Sequence, residues 1–242
     1  AGGPQLGEVE AGIVASTLKI SRTSHIVNFL SGAKIRVGVK RIDDMKNTYA
    51  FLLNIKEEFY WNRDRVHQIF RALDIIKQIG CEADEDVLNI RIKLNDEILK
   101  QANDFISQKF PRKEILIGIH PGAGKKDNIW NAENFFILAK KLHEKFDCNF
   151  IITSGNIDGE TTAILTDKFI SAELPFVVLE NAEINFLSAV MNNMNLYITN
   201  DTGVMHLANY AGTKVISLFG PTQGYEWAPI SDHSVYIQSK DS

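Results

Sequence analysis

Short apolar segments recur at regular intervals through the second half of the chain, with amphipathic segments between them. The apolar segments are 115–119, 150–153, 176–179, 196–199 and 215–219, and helical periodicity is found at 133–146, 160–171, 184–194 and 204–211. Apolar strands that alternate with helices are typical of a parallel sheet covered on both faces. Because ligands bind such sheets outside the carboxyl ends of the strands, we expect the functional residues in the loops that follow the strands.

The first half of the chain has a less regular pattern. A short helix is expected at 23–30 with Thr23 as its cap, and a strand at 35–39. Apolar residues at helical spacing then predict a longer helix over 64–79, and Gly80 stands where a left-handed C-terminal residue is favoured. The pattern therefore predicts helices and strands here too, but without the strict alternation of the second half.

The segment between the two halves predicts one more strand and one more helix. Apolar side chains alternate with polar ones at Leu88, Ile90, Ile92 and Leu94, as in a half-exposed strand. Asn95 is placed to cap a helix that ends near Phe110, and residues 111–113 are typical of a linker. We therefore predict a first domain over residues 1–112 and a second over 113–242.

The composition is that of an ordinary folded protein and narrows the range of partners. Hydrophobic residues make up 45% of the 242 residues, charged residues make up 23%, and the net charge is −4. Because this charge gives no general attraction to nucleic acid, we expect no nucleic acid partner. Cys81 and Cys148 fit no metal or redox spacing, as is usual for reduced thiols in the cytoplasm. No apolar run approaches the length of a membrane span.

Basic residues are concentrated in one stretch of the first half. Residues 11–42 contain no acidic side chain, and their basic residues are Lys19, Arg22, Lys34, Arg36, Lys40 and Arg41. A local positive field of this kind could attract an anionic substrate. A solvated face, balanced by the acidic residues from Asp43 onward, explains the pattern equally well, and the sequence leaves both interpretations open.

A glycine-rich basic loop, HPGAGKK, follows the first of the regular strands at residues 120–126. Glycines allow the backbone to approach a ligand closely, and Lys125 and Lys126 supply compact positive charge for a phosphate. The spacing does not fit the phosphate loop of nucleoside triphosphatases, because Lys126 stands where Ser or Thr should bind magnesium. From these residues alone, a flexible surface loop is the alternative.

The fourth regular strand runs directly into a helix through the sequence NDTG. The N–H groups of Thr202, Gly203 and Val204 would point outward at the start of this helix, where an anion is favoured. Asp201 is either the cap of the helix or a ligand contact. His206 lies one turn further on, and we interpret it as functional because of its position beside Asp201 and a glycine.

The last regular strand ends in a rigid loop, Gly220-Pro221-Thr222, which we expect beside the previous loop. Trp227 follows shortly after. Its large ring either closes over the site or packs in the core, and both interpretations stay open.

Together these loops resemble glycosyltransferase family nine, the heptosyltransferases of lipopolysaccharide core assembly. The stretches that carry the likeness are IGIHPGAG, WNAENF, IITSGNIDGE, NDTGVMHLANYAG and VISLFGPTQGYEWAP, with a weaker match at SGAKIRVG. They cover residues 113–229 well. The resemblance implies an α/β, GT-B-like fold of two Rossmann-like domains, of which the N-terminal one is incomplete here. The C-terminal domain would bind the nucleotide sugar.

The resemblance also implies roles for individual residues. Thr202 and Gly203 would hold the diphosphate, with Ala123 and Gly124 facing it across the cleft. The remaining assignments are Asp201 and His206 at the donor sugar, Glu160 near the nucleoside, and Gly220, Pro221 and Thr222 in a loop near the site.

The chain departs from the family pattern at two places that matter for chemistry. The family usually has a lysine two residues before the tryptophan, and here that place is Asn128, so Lys125 or Lys126 would have to substitute. The N-terminal segment that carries the aspartate thought to act as catalytic base has no counterpart. No catalytic residue is therefore assigned within this chain.

The function that the resemblance implies is inverting, metal-independent sugar transfer without a cofactor, with heptose from ADP-heptose going to a lipopolysaccharide core or lipid A-type acceptor. The partners would be the nucleotide sugar and an anionic lipid or oligosaccharide. The protein would then lie in the cytoplasm, with peripheral contact at the inner face of the inner membrane. Two alternatives stay open: a non-catalytic module that binds a nucleotide sugar, and another GT-B enzyme that uses a UDP-sugar.

Overall fold

Residues 9–83, 90–112 and 114–240 are described in a computed structural model of the chain, which divides into two units, residues 1–85 and 86–242. The division lies before the helix Asp96–Lys109, which sequence analysis had placed in the first domain. This helix buries its apolar face against the helix Ile184–Asn192, and the ring of Phe105 packs edge-on to that of Phe186 at 5.7 Å. Packing, rather than the following linker, assigns residues 90–112 to the second unit.

The first unit contains a small sheet with two helices. Its elements, in chain order, are β1 (Ala11–Ile13), α1 (Arg22–Leu30), β2 (Ile35–Ile42), β3 (Met45–Lys46), β4 (Ile55–Phe59) and α2 (Gln68–Lys77). Strand β2 pairs in parallel with β1 and β4 and antiparallel with β3. The core consists of Val37, Val39, Ile42, Trp61 and Ile75.

Both helices of the first unit begin at residues other than those predicted. Ser21, not Thr23, caps α1, because its hydroxyl oxygen accepts from the N–H of Ser24 at 3.2 Å. Helix α2 begins at Gln68 rather than 64, where Nδ1 of His67 accepts from the N–H of Ile69. In each case a side-chain acceptor selects the first turn, and apolar periodicity alone does not locate it.

The basic stretch of residues 11–42 is partly neutralised within the first unit. The Nζ of Lys40 lies 2.9 Å from a carboxylate oxygen of Glu58, and the Nε of Arg41 lies 3.7 Å from the other. Arg36 donates to the backbone carbonyls of Leu52 and Ala33. For these residues the structure favours the interpretation of balanced surface charge.

The second unit contains a six-stranded parallel sheet with helices on both faces. Its helices are α3 (Asp96–Lys109), α4 (Ala132–Phe146), α5 (Gly159–Ser171), α6 (Ile184–Asn192), α7 (Gly203–Ala211) and α8 (Gly224–Trp227). Its strands are β5 (Ile115–His120), β6 (Cys148–Ser154), β7 (Phe176–Glu180), β8 (Leu196–Asn200), β9 (Val215–Phe219) and β10 (Ser234–Gln238). All five predicted strands of this half are present, and the predicted parallel α/β fold is confirmed.

The strand order across this sheet is β7-β6-β5-β8-β9-β10. Numbered from β5, this is the order 3-2-1-4-5-6 of a doubly wound nucleotide-binding fold. The winding direction reverses between β5 and β8, so a crevice opens outside the carboxyl ends of these two strands.

Both faces of the sheet are buried, which explains the nearly continuous apolar strands. In β6, Phe150 and Ile152 face one hydrophobic cluster and Ile151 faces the other. Phe169 of α5 lies over the first face, with its ring edge-on to Phe150 at 5.3 Å. Because both faces of the sheet are covered by apolar side chains, the polar groups of this unit lie at the ends of the strands.

Two local predictions differ from the structure. Residues 90–94 form no strand, and Ile92 instead donates its N–H to the carbonyl of Tyr210 at 2.9 Å; the first residue of the predicted strand, Leu88, lies outside the described residues. Strand β10 was not predicted, because it is an edge strand with largely exposed side chains such as Val235 and Ile237. Across the described ranges, no helix has the length and apolarity needed to cross a membrane.

Candidate functional site

A buried asparagine joins the two loops that flank the sheet crevice. Asn200, the last residue of β8, is fully buried, and its Nδ2 donates to the carbonyls of Pro121 at 2.8 Å and Gly122 at 3.2 Å. Its Oδ1 accepts from the N–H of Trp130 at 3.0 Å. One side chain therefore fixes the start of the glycine-rich loop, and Trp130 four residues beyond its end, against the end of β8.

A cavity of about 450 Å³ lies at the carboxyl ends of β5, β6, β7 and β8. Its lining includes Gly124 from the glycine-rich loop and Thr202 from the loop after β8, which are two of the predicted donor-binding residues. The other lining residues are His120, Thr153, Ser154, Gly155, Asn156, Ile157, Asp158, Leu179, Asn181, Ala182, Leu187 and Val204. The volume is within the usual range of small-molecule sites.

Helix α7 begins at this cavity and has no side-chain cap. Thr202, in extended conformation, is the N-cap residue and makes no capping hydrogen bond through its side chain. Asp201 is therefore not the cap, which removes one of its two sequence interpretations. A Cβ placed on Gly203 would meet no atom within 4 Å, so the first turn of α7 borders open space. Free N–H groups at an open helix N-terminus form a site for an anion.

The carboxylate of Asp201 is bound from the neighbouring loop. Nδ2 of Asn128 donates to one oxygen of Asp201 at 2.8 Å and lies 3.3 Å from the hydroxyl of Thr222. Burial lowers the pKa of His206, and the negative charge of Asp201 opposes this shift. His206 is therefore neutral near pH 7 and lies within the electrostatic reach of Asp201. Contact of this pair with a donor sugar stays a prediction.

The loop after β9 contacts the glycine-rich loop from the other side. A Cβ on Gly220 would lie 2.9 Å from the carbonyl oxygen of Asp127, so only glycine allows this approach. Pro221 is exposed and Thr222 is half-buried next to Asn128. Trp227 packs against the apolar core, which agrees with the interpretation that its ring has a packing role.

Apart from Gly124 and Thr202, none of the predicted donor-binding residues is among those that line the cavity. Ala123 is buried in the glycine-rich loop, whereas Lys125 and Lys126 are exposed at its end. Neither lysine side chain is paired with another residue in the part of the chain that the structure describes. Glu160 is exposed in the first turn of α5, and Asp158, two residues earlier, lines the cavity instead.

The sequence matches the model of glycosyltransferase family 9 (heptosyltransferase) over residues 6–242, which is nearly the whole chain. The chain belongs to glycosyltransferase family 9. The resemblance that the loop sequences indicated is thereby confirmed.

Relatives and solved structures agree with this assignment. The lipooligosaccharide heptosyltransferase 2 of Campylobacter jejuni is 24% identical over 199 residues, which are 78% of this chain and 59% of that protein. The chain therefore spans less than two thirds of that relative. A family 9 glycosyltransferase structure from Veillonella parvula superposes with a TM-score of 0.77 at 22% identity, covering 98% of this chain and 65% of that one. An Escherichia coli heptosyltransferase solved with ADP gives 0.66 at 15% identity, covering 97% and 68%. These likenesses show the GT-B-like fold.

A buried polar chain supports the floor of the cavity, and the sequence alone did not reveal it. His120 at the end of β5 lies 3.1 Å from the hydroxyl of Thr153 and 3.5 Å from a carboxylate oxygen of Asp158. Thr153 in turn lies 2.5 Å from the hydroxyl of Tyr197. Burial lowers the pKa of His120, although Asp158 opposes the shift. The signal that could have pointed to Asp158 is the Ser-Gly-Asn-Ile-Asp turn at residues 154–158, which directly follows strand β6.

Asp158 also determines why Gly122 is a glycine. Its carboxylate is held by the N–H of Gly155 at 2.8 Å, and a Cβ on Gly122 would lie 1.9 Å from its other oxygen. The loops after β5 and β6 therefore meet at a point where no side chain fits. A hydrogen bond to this buried carboxylate holds the loop after β6, and the close contact at Gly122 limits the loop after β5.

We predict that Gly122→Ala lowers the free energy of unfolding by about 1–3 kcal/mol, because the new methyl group collides with a buried, hydrogen-bonded carboxylate. Gly124→Ala is the matched control, since a Cβ there meets no atom within 4 Å. Thermal or urea unfolding of both variants and the parent measures the difference. Equal midpoints for the two variants would contradict the close packing of Gly122 on Asp158.

Proposed function

We propose that this chain provides the donor-binding part of a glycosyltransferase that transfers heptose from ADP-heptose to an anionic lipopolysaccharide core or lipid A-type acceptor. The observation that carries the proposal is the uncapped N-terminus of α7, which opens onto the cavity at the reversal point of the sheet. A diphosphate bound there would accept hydrogen bonds from the N–H groups of Thr202, Gly203 and Val204. The family assignment, together with the E. coli heptosyltransferase that was solved with ADP, supports ADP as the nucleotide.

The proposed reaction is inverting transfer. A bond forms between the acceptor and the sugar while the bond from the sugar to the nucleoside diphosphate breaks, so that the nucleoside diphosphate leaves. Negative charge grows on the leaving diphosphate, so positive dipoles aimed at it stabilise the transition state. The N-terminus of α7 supplies such a dipole, and Lys125 and Lys126 add mobile charge from the opposite loop. These groups would allow transfer without a metal ion, although no group of this chain is assigned as the catalytic base.

The donor sugar is proposed to lie at Asp201 and His206. A carboxylate with one oxygen already bound by Asn128 can accept a sugar hydroxyl on the other. A neutral imidazole can either donate to or accept from a second hydroxyl. The acceptor would be an anionic lipid or oligosaccharide, which would bring the protein to the inner face of the inner membrane.

A thermal-shift panel of ADP-heptose, a UDP-sugar and a GDP-sugar tests the nucleotide and the anion site together. We expect ADP-heptose to raise the unfolding midpoint of the parent most, because ligand binding stabilises the native state. Gly203→Val should keep the fold, since a Cβ there points into open space, and should lose the ADP-heptose shift by blocking the diphosphate.

The control for this panel is Asp96→Val, because Asp96 is likewise the first residue of a helix and is exposed, but does not line the cavity. This variant should keep the shift. A larger response to the UDP-sugar would replace ADP-heptose as the proposed donor, and an unchanged response in Gly203→Val would remove α7 from the phosphate site. If the full-length protein binds the nucleotide sugar but transfers no sugar, it would be a binding module and not an enzyme.

The two exposed lysines are predicted to contribute to diphosphate affinity through charge. Replacing Lys125 and Lys126 together by Ala should weaken ADP binding by about 1–3 kcal/mol at low salt, the scale of charge-assisted hydrogen bonds. The difference should shrink as the salt concentration rises, because exposed charges are screened. Titration calorimetry at two salt concentrations measures both effects.

A double replacement of Lys140 and Lys141 is the control, since it removes the same charge from an exposed part of α4. It should leave ADP affinity nearly unchanged. If both double variants bind ADP alike, the contribution is one of total charge and the glycine-rich loop has no special role.

Asp201 and His206 are predicted to distinguish the complete donor from its nucleotide. Asp201→Asn and His206→Ala should each weaken ADP-heptose by about tenfold or more and ADP by little, because a buried hydroxyl left unpaired costs about 1–3 kcal/mol. Since Asp201 does not cap α7, the fold should be retained. Titrations of ADP and ADP-heptose on each variant measure the two affinities. Equal losses for both ligands would mean a damaged site rather than a lost sugar contact.

A further inference from the structure

Asn128 is a nearly buried asparagine at which three loops of the proposed donor site meet. It ends the short helical turn Lys126–Asn128 that follows the glycine-rich loop, and 8% of its surface is exposed. Its Nδ2 donates to Asp201 Oδ2 at 2.8 Å, and its Oδ1 lies 3.4 Å from the hydroxyl of Thr222, which can donate to it. Both ends of the amide are therefore occupied by groups of the two neighbouring loops.

The backbone holds this amide in a defined place. The N–H of Asn128 donates to the carbonyl of Lys125 at 3.1 Å, which closes the turn. The preceding carbonyl, that of Asp127, touches the loop after β9 at Gly220, where a Cβ would not fit. A side chain fixed at its base and at both polar atoms has little freedom to turn, so the direction of its N–H bonds is set before any ligand arrives.

The consequence for Asp201 is an oriented but un-neutralised carboxylate. The amide of Asn128 bonds to Oδ2 without carrying charge, and no other side chain of the described residues is hydrogen-bonded to Asp201. Burial keeps the nearby His206 neutral near pH 7 by lowering its pKa. Oδ1 therefore keeps its capacity to accept hydrogen bonds, and a full negative charge makes such bonds about twice as strong as neutral ones.

We infer that Asn128 is a positioning residue that sets the orientation of the Asp201 carboxylate toward the hydroxyls of the donor sugar. A lysine at this place, which the resemblance implies is usual in the family, would instead bring a positive charge to the Asp201 carboxylate. With an asparagine at position 128, we place this residue on the sugar side of the proposed site. Binding of the diphosphate would then depend on α7 and on the two lysines of the glycine-rich loop. The inference rests on the proposed function and adds to it a residue that does not itself contact the donor.

The test compares two near-isosteric replacements of Asn128 by titration with ADP and with ADP-heptose. Asn128→Leu removes both hydrogen bonds and should weaken ADP-heptose about tenfold, with ADP changed by less than about twofold. Asn128→Asp places a second carboxylate beside Asp201. At pH 7.5, the loss of ADP-heptose affinity in this variant should therefore be at least as large as in Asn128→Leu.

The pH profile separates positioning from simple packing. When the pH is lowered toward 5, two adjacent carboxylates share one proton, which restores a hydrogen bond between positions 128 and 201. ADP-heptose affinity should therefore recover in Asn128→Asp relative to Asn128→Leu. Other ionisable groups near the site are His206, Asp127, Lys125 and Lys126, which both variants retain. Because the charge at Asp201 acts on His206, the same titrations in His206→Ala backgrounds measure its share of the pH dependence.

Two controls complete the design. Asn149→Leu makes the same replacement at a similarly buried asparagine near the amino end of β6, away from the cavity, and should change neither affinity. In an Asp201→Asn background, Asn128→Leu should cause little further loss of ADP-heptose affinity, because the group that it positions is already altered.

The outcomes distinguish this inference from the function on which it rests. A parent protein that binds no ADP-heptose would overturn the proposed function. A parent that prefers ADP-heptose to ADP, together with an Asn128→Leu variant that keeps the same preference, would overturn the role of Asn128 alone. Parallel losses of ADP and ADP-heptose, or identical pH profiles for the two variants, would reduce Asn128 to a packing residue.

Discussion

The parallel pairing of β5 with β8 is the constraint on which the site depends. These strands are distant in sequence, and their pairing aligns residues 117–120 with 196–199. Their ends therefore come to the same edge of the sheet, and the amide of Asn200 then bonds the carbonyls of Pro121 and Gly122. An apolar layer on each face keeps the pairing in register, so the polar loops inherit their geometry from the core.

The loops around this pairing are held by buried polar groups rather than by apolar contacts. Asp158 holds the loop after β6 and touches Gly122, while Asn128 bonds to Asp201 and Thr222. Each of these side chains would be costly to leave unpaired in a buried place. The hydrogen bonds therefore select one arrangement of the loops, and a cavity that exists before binding loses less entropy when a ligand enters.

The sequence predicted the second unit well because its signals are local and repeated. Five apolar strands, the glycine-rich loop and the turn into α7 could all be read from neighbouring residues. Strand β10 could not, since an edge strand has exposed side chains and depends on β9 for its hydrogen bonds. Asn128 and Asp158 were not predicted as site residues for a related reason. Their partners Asp201 and Gly122 are far away in sequence, and only the folded sheet brings each pair together.

The site separates two kinds of recognition by the physics of its two halves. At α7 the hydrogen-bond donors are backbone N–H groups. No side-chain replacement removes them, and any diphosphate can accept hydrogen bonds from them. At Asp201 the proposed hydrogen-bond acceptor for the sugar is a single carboxylate, which is bound by Asn128, and a sugar would have to match it in position. Under the proposed function, affinity for the nucleotide is built into the fold of the second unit, whereas selection of the sugar depends on a few side chains. We therefore expect that substitutions around Asp201 change the preferred sugar while α7 and the sheet beneath it stay the same.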